Sequence, residues 1–237
     1  MNAIREWARG VMCLGCGLFG LAIAPCARAK GLAGASELQL KTNAFMYNKY
    51  DAHSTSTAGS SGVVLPAASS SSSTSSGFGL FGSGSGVGYG YFLTNQLKLG
   101  ADVFVVHAHT GGGVLGAVDS TNLSLLPRAE YVLGGDRVRP YIAALAGYSH
   151  LWSSNDGSYT YSGQSSGFTF GGGVGAHVFL GDSWSIDPEL SLQRTIQSGN
   201  STGHGTSDPS SAYETESTSH QTALLLQIGL SGWFGGY

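Results

Sequence analysis

The sequence predicts an all-β chain: eight antiparallel strands closing up-and-down into a transmembrane β-barrel, preceded by a cleaved signal peptide. Three observations carry this. Period-2 alternation returns along the whole chain, most clearly in its last strand, Leu224–Phe234, where Leu224, Leu226, Ile228, Leu230 and Phe234 share one face and Leu225, Gln227, Gly229, Ser231 and Trp233 the other. About eleven tilted residues is the length a membrane strand requires. The alternating runs are joined by three short turns on one side and four long polar segments on the other, the asymmetry of an outer-membrane barrel. Finally, Arg5 and Arg9 precede an apolar run from Val11 to Ala24 and the small-x-small site Ala27-Arg28-Ala29, the pattern of a secretory signal.

The signal peptide is expected over residues 1–29, its apolar core being too short to span as a helix, and the barrel over residues 30–237. Cys13, Cys16 and Cys26 all fall in the removed segment, and Pro25 stands where a lipoprotein site at Cys26 would need a small residue. The mature chain therefore holds together without disulfides in an oxidising compartment. The full sequence has 11 Lys+Arg against 14 Asp+Glu; without Arg5, Arg9, Arg28 and Glu6 these become 8 and 13, a net charge of −5. That balance excludes nucleic acid as a partner. The 38 glycines do not signal disorder, because aliphatic and aromatic residues are placed too regularly between them.

The first strand turns Leu38, Leu40, Thr42, Ala44 and Met46 outward and Gln39, Lys41, Asn43, Phe45 and Tyr47 inward. A long loop is expected over about 51–76, since the serine run within it buries nothing. The second strand places Gly82, Gly84, Gly86, Gly88 and Gly90 inside a narrow lumen. After Thr94-Asn95-Gln96 the third strand points Leu97, Leu99, Ala101, Val103 and Val105 out and Lys98, Gly100, Asp102 and Phe104 in. A loop over about 108–120 leads to the fourth, with Leu123, Leu125, Pro127, Ala129, Tyr131 and Leu133 out and Ser124, Leu126, Arg128 and Glu130 in.

Gly134-Gly135-Asp136 turns into the fifth strand, with Ile142, Ala144, Ala146 and Tyr148 out and Arg139, Tyr141, Ala143, Leu145 and Gly147 in. Beyond a loop over about 153–166, the sixth presents Phe168, Phe170, Val174, Ala176, Val178 and Leu180 against Gly171, Gly173, Gly175 and His177. Gly181-Asp182-Ser183 turns into the seventh, with Trp184, Ile186, Pro188, Leu190 and Leu192 out and Ser185, Asp187, Glu189, Ser191 and Gln193 in. The fourth loop, about 197–220, precedes the last strand.

Aromatic residues gather at two levels, with Tyr89, Tyr91, Tyr131, Trp184 and Phe234 low and Tyr148, Trp152, Phe168 and Phe170 high, as the girdles of a membrane barrel do. Pro127, Pro140 and Pro188 interrupt strands that have no free edge, so bulges are expected there. Alternation also sends Lys41, Lys98, Arg128, Arg139, Asp102, Glu130, Asp187 and Glu189 into the lumen. An eight-stranded barrel is just wide enough for side chains to fill, so these charges are expected to pair and plug it.

Three stretches resemble the outer-membrane protein β-barrel domain family, the eight-stranded, opacity-protein-like and OmpA-like group: Tyr91–Gly100 (YFLTNQLKLG), Pro127–Tyr131 (PRAEY) and Arg139–Tyr148 (RPYIAALAGY). The likeness covers essentially the whole mature chain. It implies residence in the outer membrane, lipid contact, and recognition of the C-terminal strand by assembly machinery through Phe234. It implies no single activity, because the fold hosts anchors, adhesins, small channels and lipid-modifying enzymes.

No catalytic, cofactor-binding or metal site is assigned. His107 and His109 supply two ligands without a third at known spacing. His150 with Ser153, Ser154 and Asp156 lacks the His-x-Ser spacing of a barrel deacylase. His177 among glycines reads as a packing histidine, and Gly171–Gly175 has neither the helix nor the Lys-Ser/Thr pair of a phosphate loop. The expected function is a non-enzymatic integral outer-membrane protein anchoring surface-exposed loops for envelope structure or surface interaction with an unidentified ligand. A narrow channel for small or apolar solutes is the alternative, and a lipid-modifying enzyme the third reading.

Overall fold

The computed structural model describes residues 32–58, 67–78, 85–110, 117–156, 159–205 and 208–235. The expected signal peptide and its cysteines lie outside these residues. Nine antiparallel segments form the sheet: β1 (Ala35–Ala58), β2 (Ala67–Phe78), β3 (Ser85–Phe92), β4 (Leu97–Thr110), β5 (Ala117–Val132), β6 (Val138–Asp156), β7 (Tyr159–Phe179), β8 (Trp184–Gly205) and β9 (Asp208–Gly235). Each pairs with its neighbour, and β1 also pairs with β9, closing the ring. β3 lies along the lower part of β1, Ser36–Thr42, and β2 along its upper part, Phe45–Ser56. The two share one position in the ring, so nine segments make an eight-stranded up-and-down antiparallel barrel.

Pairing β1 with β9 leaves neither end of the sheet as an open edge at the level where no water is available to replace a lost partner. The three turns Leu93–Gln96, Leu133–Arg137 and Leu180–Ser183 are tied by backbone bonds such as Leu93 N–H to Leu97 O, 2.9 Å, and Leu180 N–H to Trp184 O, 3.0 Å. On the opposite side the strands run far past the alternating stretches. Much of each segment expected as a loop is therefore strand: 51–56 pairs with 67–72 and 51–58 with 213–220, 108–110 with 118–120, 153–156 with 160–163, and 197–205 with 208–219. Serine, threonine and glycine carry no hydrophobic period, which hides a strand from the sequence. Once the lower ladder fixes the register, backbone bonding propagates it, helped by cross-strand hydroxyl pairs such as Ser54–Ser69, 2.7 Å, and Ser56–Thr215, 2.8 Å.

The inward and outward faces agree with the alternation on β3 to β9. β1 departs from it. Its register against β9 shifts between Asn43 and Phe45, so Ala44 is an extra residue that exchanges the faces beyond it. Asn48 is buried and Tyr47 exposed, the reverse of an unbroken alternation, and Phe45 joins the outward row of Leu226. The prolines sit at no bulge. Pro127 and Pro188 fall where the β5–β6 and β7–β8 ladders each omit two successive pairs while keeping register. Pro140 lies in the first turn-side residues of β6, where its carbonyl accepts from Leu133 N–H at 2.7 Å.

Outward side chains are apolar and bare over a continuous belt: Leu40 is 57% exposed, Ile142 54%, Phe168 53% and Leu192 56%. An apolar surface encircling the molecule while its charges lie buried inside is stable only against hydrocarbon. The low aromatics and the high ones border this belt, all exposed.

Candidate functional site: the charged lumen

At the turn side, residues from the ends of several strands meet to make an apolar floor. Leu32, Phe92, Val132, Tyr141 and Trp233 are buried there, with Phe179 packed against them. Phe92 and Trp233 lie 5.6 Å apart between ring centroids and Phe179 and Trp233 5.2 Å. Narrowness permits this: glycine positions on β3, β4, β6 and β7 leave lumen space, and a Cβ at Gly147 would run into the carbonyl oxygen of Leu125.

Above the floor, five carboxylates and four basic groups fill the bore. Arg128 is the hub: its Nη1 donates to Glu189 Oε1 at 3.0 Å, its Nη2 to Glu189 Oε2 and its Nε to Glu130, with Asp102 at 3.7 Å. A two-pronged guanidinium–carboxylate pair is the strongest arrangement open to these groups. Lys41 donates to Asp102 at 2.6 Å, and Lys98 bridges Glu37 and Glu130, the latter at 2.7 Å. Tyr141 donates to Glu189 at 2.9 Å. All these groups are buried, so each charge needs the others to offset its lost hydration.

His177, fully buried, places Nδ1 3.0 Å from Asp187 and Nε2 3.4 Å from Glu130, with its ring 5.0 Å from Trp233 in an edge-on contact. It packs as expected, and also joins floor to network. Asp187 further accepts from Gln39 at 2.7 Å, Ser185 at 2.7 Å and Ser231, and Ser231 lies 2.6 Å from Glu37. Ligand atoms of Glu37, His177 and Asp187 all fall within 4.8 Å of one another, but protein donors already occupy both carboxylates. The arrangement is that of an ion-pair cluster.

Seven of the eight charges the alternation sends inward meet in this network. Arg139 stands lower, its guanidinium 5.4 Å from the centre of the Phe179 ring. Glu37 was missed, since it precedes the first hydrophobic residue of its strand, and the signal that finds it is its parity with Gln39 and Lys41. Above the network lies a cavity of about 130 Å3 lined by amides and hydroxyls, among them Asn43, Asn48, Gln193, Gln197 and Gln221, over Leu126 and Leu225.

The remaining candidates separate. His109 Nδ1 is 2.6 Å from Asp119 and His107 Nδ1 2.9 Å from Thr121, both on the exposed outer face. His150 packs edge-on to Trp152 at 4.2 Å. Ser153 faces the opposite side, 3.5 Å from the Tyr161 hydroxyl, and Ser154, on the same side as His150, is about 13 Å further along the strand. No Ser–His pair forms among them. Gly171–Gly175 is an interior stretch of β7.

No family model and no curated protein matches the chain. Among solved structures it is similar to the outer membrane protein OprG from Pseudomonas aeruginosa, at 13% identity over 86% of this chain and 97% of that one, with a TM-score of 0.48. Neisserial surface protein A gives 14% identity over 81% and 97%, at 0.41. The outer membrane protein AlkL gives 19% over 89% and 95%, also at 0.41. With scores below 0.5, the fold is read from the chain's own ladders. Ring closure, the apolar belt and the buried charges together make this chain an eight-stranded, up-and-down transmembrane β-barrel.

Proposed function

We propose that the protein is a non-enzymatic, non-conducting barrel of the bacterial outer membrane that raises a tall polar β-wall on the cell surface, for envelope structure or surface interaction. The observation that carries this is the lumen. Arg128, Lys41, Lys98 and their carboxylates cross-link the bore, and the floor around Trp233 lies beneath them. A hydrated ion would have to part these pairs at low dielectric, leaving charges stranded. The polar extensions of β1 and β6 to β9 supply the display surface on the side opposite the short turns. In this reading the turns face the periplasm and the C-terminal strand, ending in the outward Phe234, is the segment that assembly machinery reads.

The test is planar-bilayer recording of the refolded protein, with proteolysis of intact cells beside it. Absence of steady ohmic current, together with cleavage confined to the side of the barrel opposite the short turns, is the expected result. Steady conductance replaces this reading with the channel.

A further inference from the structure

His107 and His109, two ligands short of a third in the sequence, acquire one in the fold. Alternation along β4 puts both imidazoles on the outward face, and the β4–β5 register sets Asp119 directly across from His109 and Thr121 across from His107. Asp119 Oδ1 lies 2.6 Å from His109 Nδ1 and 4.0 Å from His107 Nε2, so one carboxylate oxygen is within reach of both rings. The other nitrogen of His107 is taken, its Nδ1 standing 2.9 Å from the Thr121 hydroxyl. A hydrogen bond at one ring nitrogen fixes the ring and leaves the second for a metal, the arrangement that orients most metal-ligating histidines.

The separations are close to those a shared ion needs. Zinc binds imidazole nitrogen and carboxylate oxygen at about 2.0–2.2 Å, so two donors on one tetrahedral ion stand roughly 3.4 Å apart. The observed 2.6 and 4.0 Å fall on either side of that value. The backbones of His107 and His109 are about 7 Å apart, a gap that the two side chains close by turning toward each other. Exposure permits the turn: 60% for His107, 58% for His109 and 45% for Asp119. Two imidazoles with one carboxylate suit zinc, copper or nickel, whereas calcium and magnesium take oxygen donors. Among the described residues, no lysine or arginine stands in the cross-strand rows of His107 and His109 from β4 to β9 to repel a cation.

We propose that His107, Asp119 and His109 form a site for a divalent transition cation of the copper and zinc class, at the upper border of the apolar belt in the row of Trp152 and the row above it. His107 Nε2, Asp119 Oδ1 and His109 Nδ1 are the ligands, and solvent completes the coordination. The assignment stands on the β4–β5 register and does not depend on which side of the membrane the extensions face.

The test uses the untagged mature chain in phosphatidylcholine nanodiscs, stripped with EDTA and titrated with copper(II) chloride alone. Electron paramagnetic resonance reads the copper, and heat-modifiable gel migration confirms that each variant has folded. The expected result is a first copper whose echo modulation shows two imidazoles, and which an excess of zinc(II) displaces but the same concentration of calcium(II) does not. His107→Ala combined with His109→Ala should abolish this signal, and Asp119→Asn should weaken the first binding about tenfold or more. His150→Ala, at the next outward histidine on β6, should leave it unchanged. The proposal is overturned by a first copper that shows fewer than two imidazoles, survives the double substitution, binds Asp119→Asn with unchanged affinity, is lost in His150→Ala, resists zinc or yields equally to calcium. None of these outcomes bears on conductance or surface proteolysis, so the proposed function and the metal site stand or fall separately.

Discussion

The same strands behave as two different materials below and above the level of Lys49 and Arg194. Below it the two faces of the sheet are opposites, bare leucine and valine outside and interlocked charges inside. Above it serine, threonine, glycine and amides predominate on both faces, with scattered charged and aromatic residues such as Asp51, His53, Glu214 and Glu216, and no hydrophobic period drives the strands onward. Side-chain identity thus holds the lower region, whereas backbone bonding and modest hydroxyl pairs hold the upper one. Substitutions should therefore be costly below and nearly silent above.

The largest effect is expected at the hub. Arg128→Ala strands Glu189 and Glu130 in a dry bore and should destabilise the barrel by about 3–5 kcal/mol, read from reversible urea unfolding in lipid vesicles. Adding Glu189→Ala should recover part of that, with a coupling of about 1 kcal/mol or more in the double-mutant cycle. Strictly additive losses contradict a paired plug. Asp102 on the neighbouring strand stands 3.7 Å from Arg128 but is held by Lys41 at 2.6 Å, and Glu189 takes the two-pronged contact.

Next comes the belt. Leu226→Arg puts a cation into hydrocarbon and should cost about 2–4 kcal/mol. Ser198→Arg, on the same outward face above the belt, should stay within about 0.5 kcal/mol. Equal losses at the two positions would erase the boundary between the regions. A third expectation concerns packing: Gly147→Ala forces a methyl against the Leu125 carbonyl and should cost roughly 1–3 kcal/mol by overpacking.

The smallest effect belongs to the wall. Ser54→Ala removes the Ser69 hydroxyl contact and should change stability by less than about 0.5 kcal/mol. Amide exchange of residues 45–56 should remain slow in the variant, because the ladder there is made by the backbone. Rapid exchange would show that the hydroxyls hold the wall after all.

This division also decides what the sequence discloses. Below the boundary, burying one face and wetting the other with lipid writes a period of two, so the faces of β3 to β9 are legible, down to Trp233 inside and Phe234 outside. The wall leaves no such record, and its segments pass for loops. Ala44 is equally silent, because a bulge is one residue of extra length with no composition of its own, and it reverses Phe45, Tyr47 and Asn48. Partnership across the bore is the third hidden layer. Row neighbours follow from register, but Arg128 on β5 reaches Glu189 on β8, three strands away round the ring, and only the closed geometry brings them together.

The β1–β9 ladder carries a consequence for how the molecule is made. Its pairs, from Ala35↔Gly235 to Ala58↔Tyr213, join residues close to 200 positions apart at one end and about 155 at the other, the most distant partnerships the chain contains. Bringing such ends together costs on the order of 4–5 kcal/mol of loop entropy before any bond is returned. Until it closes, both β1 and β9 present long unpaired edges, a template for the wrong neighbour. Closure should therefore be the slow, late event of folding, and a chain lacking its last strand should accumulate as open sheet prone to aggregate instead of as a smaller barrel.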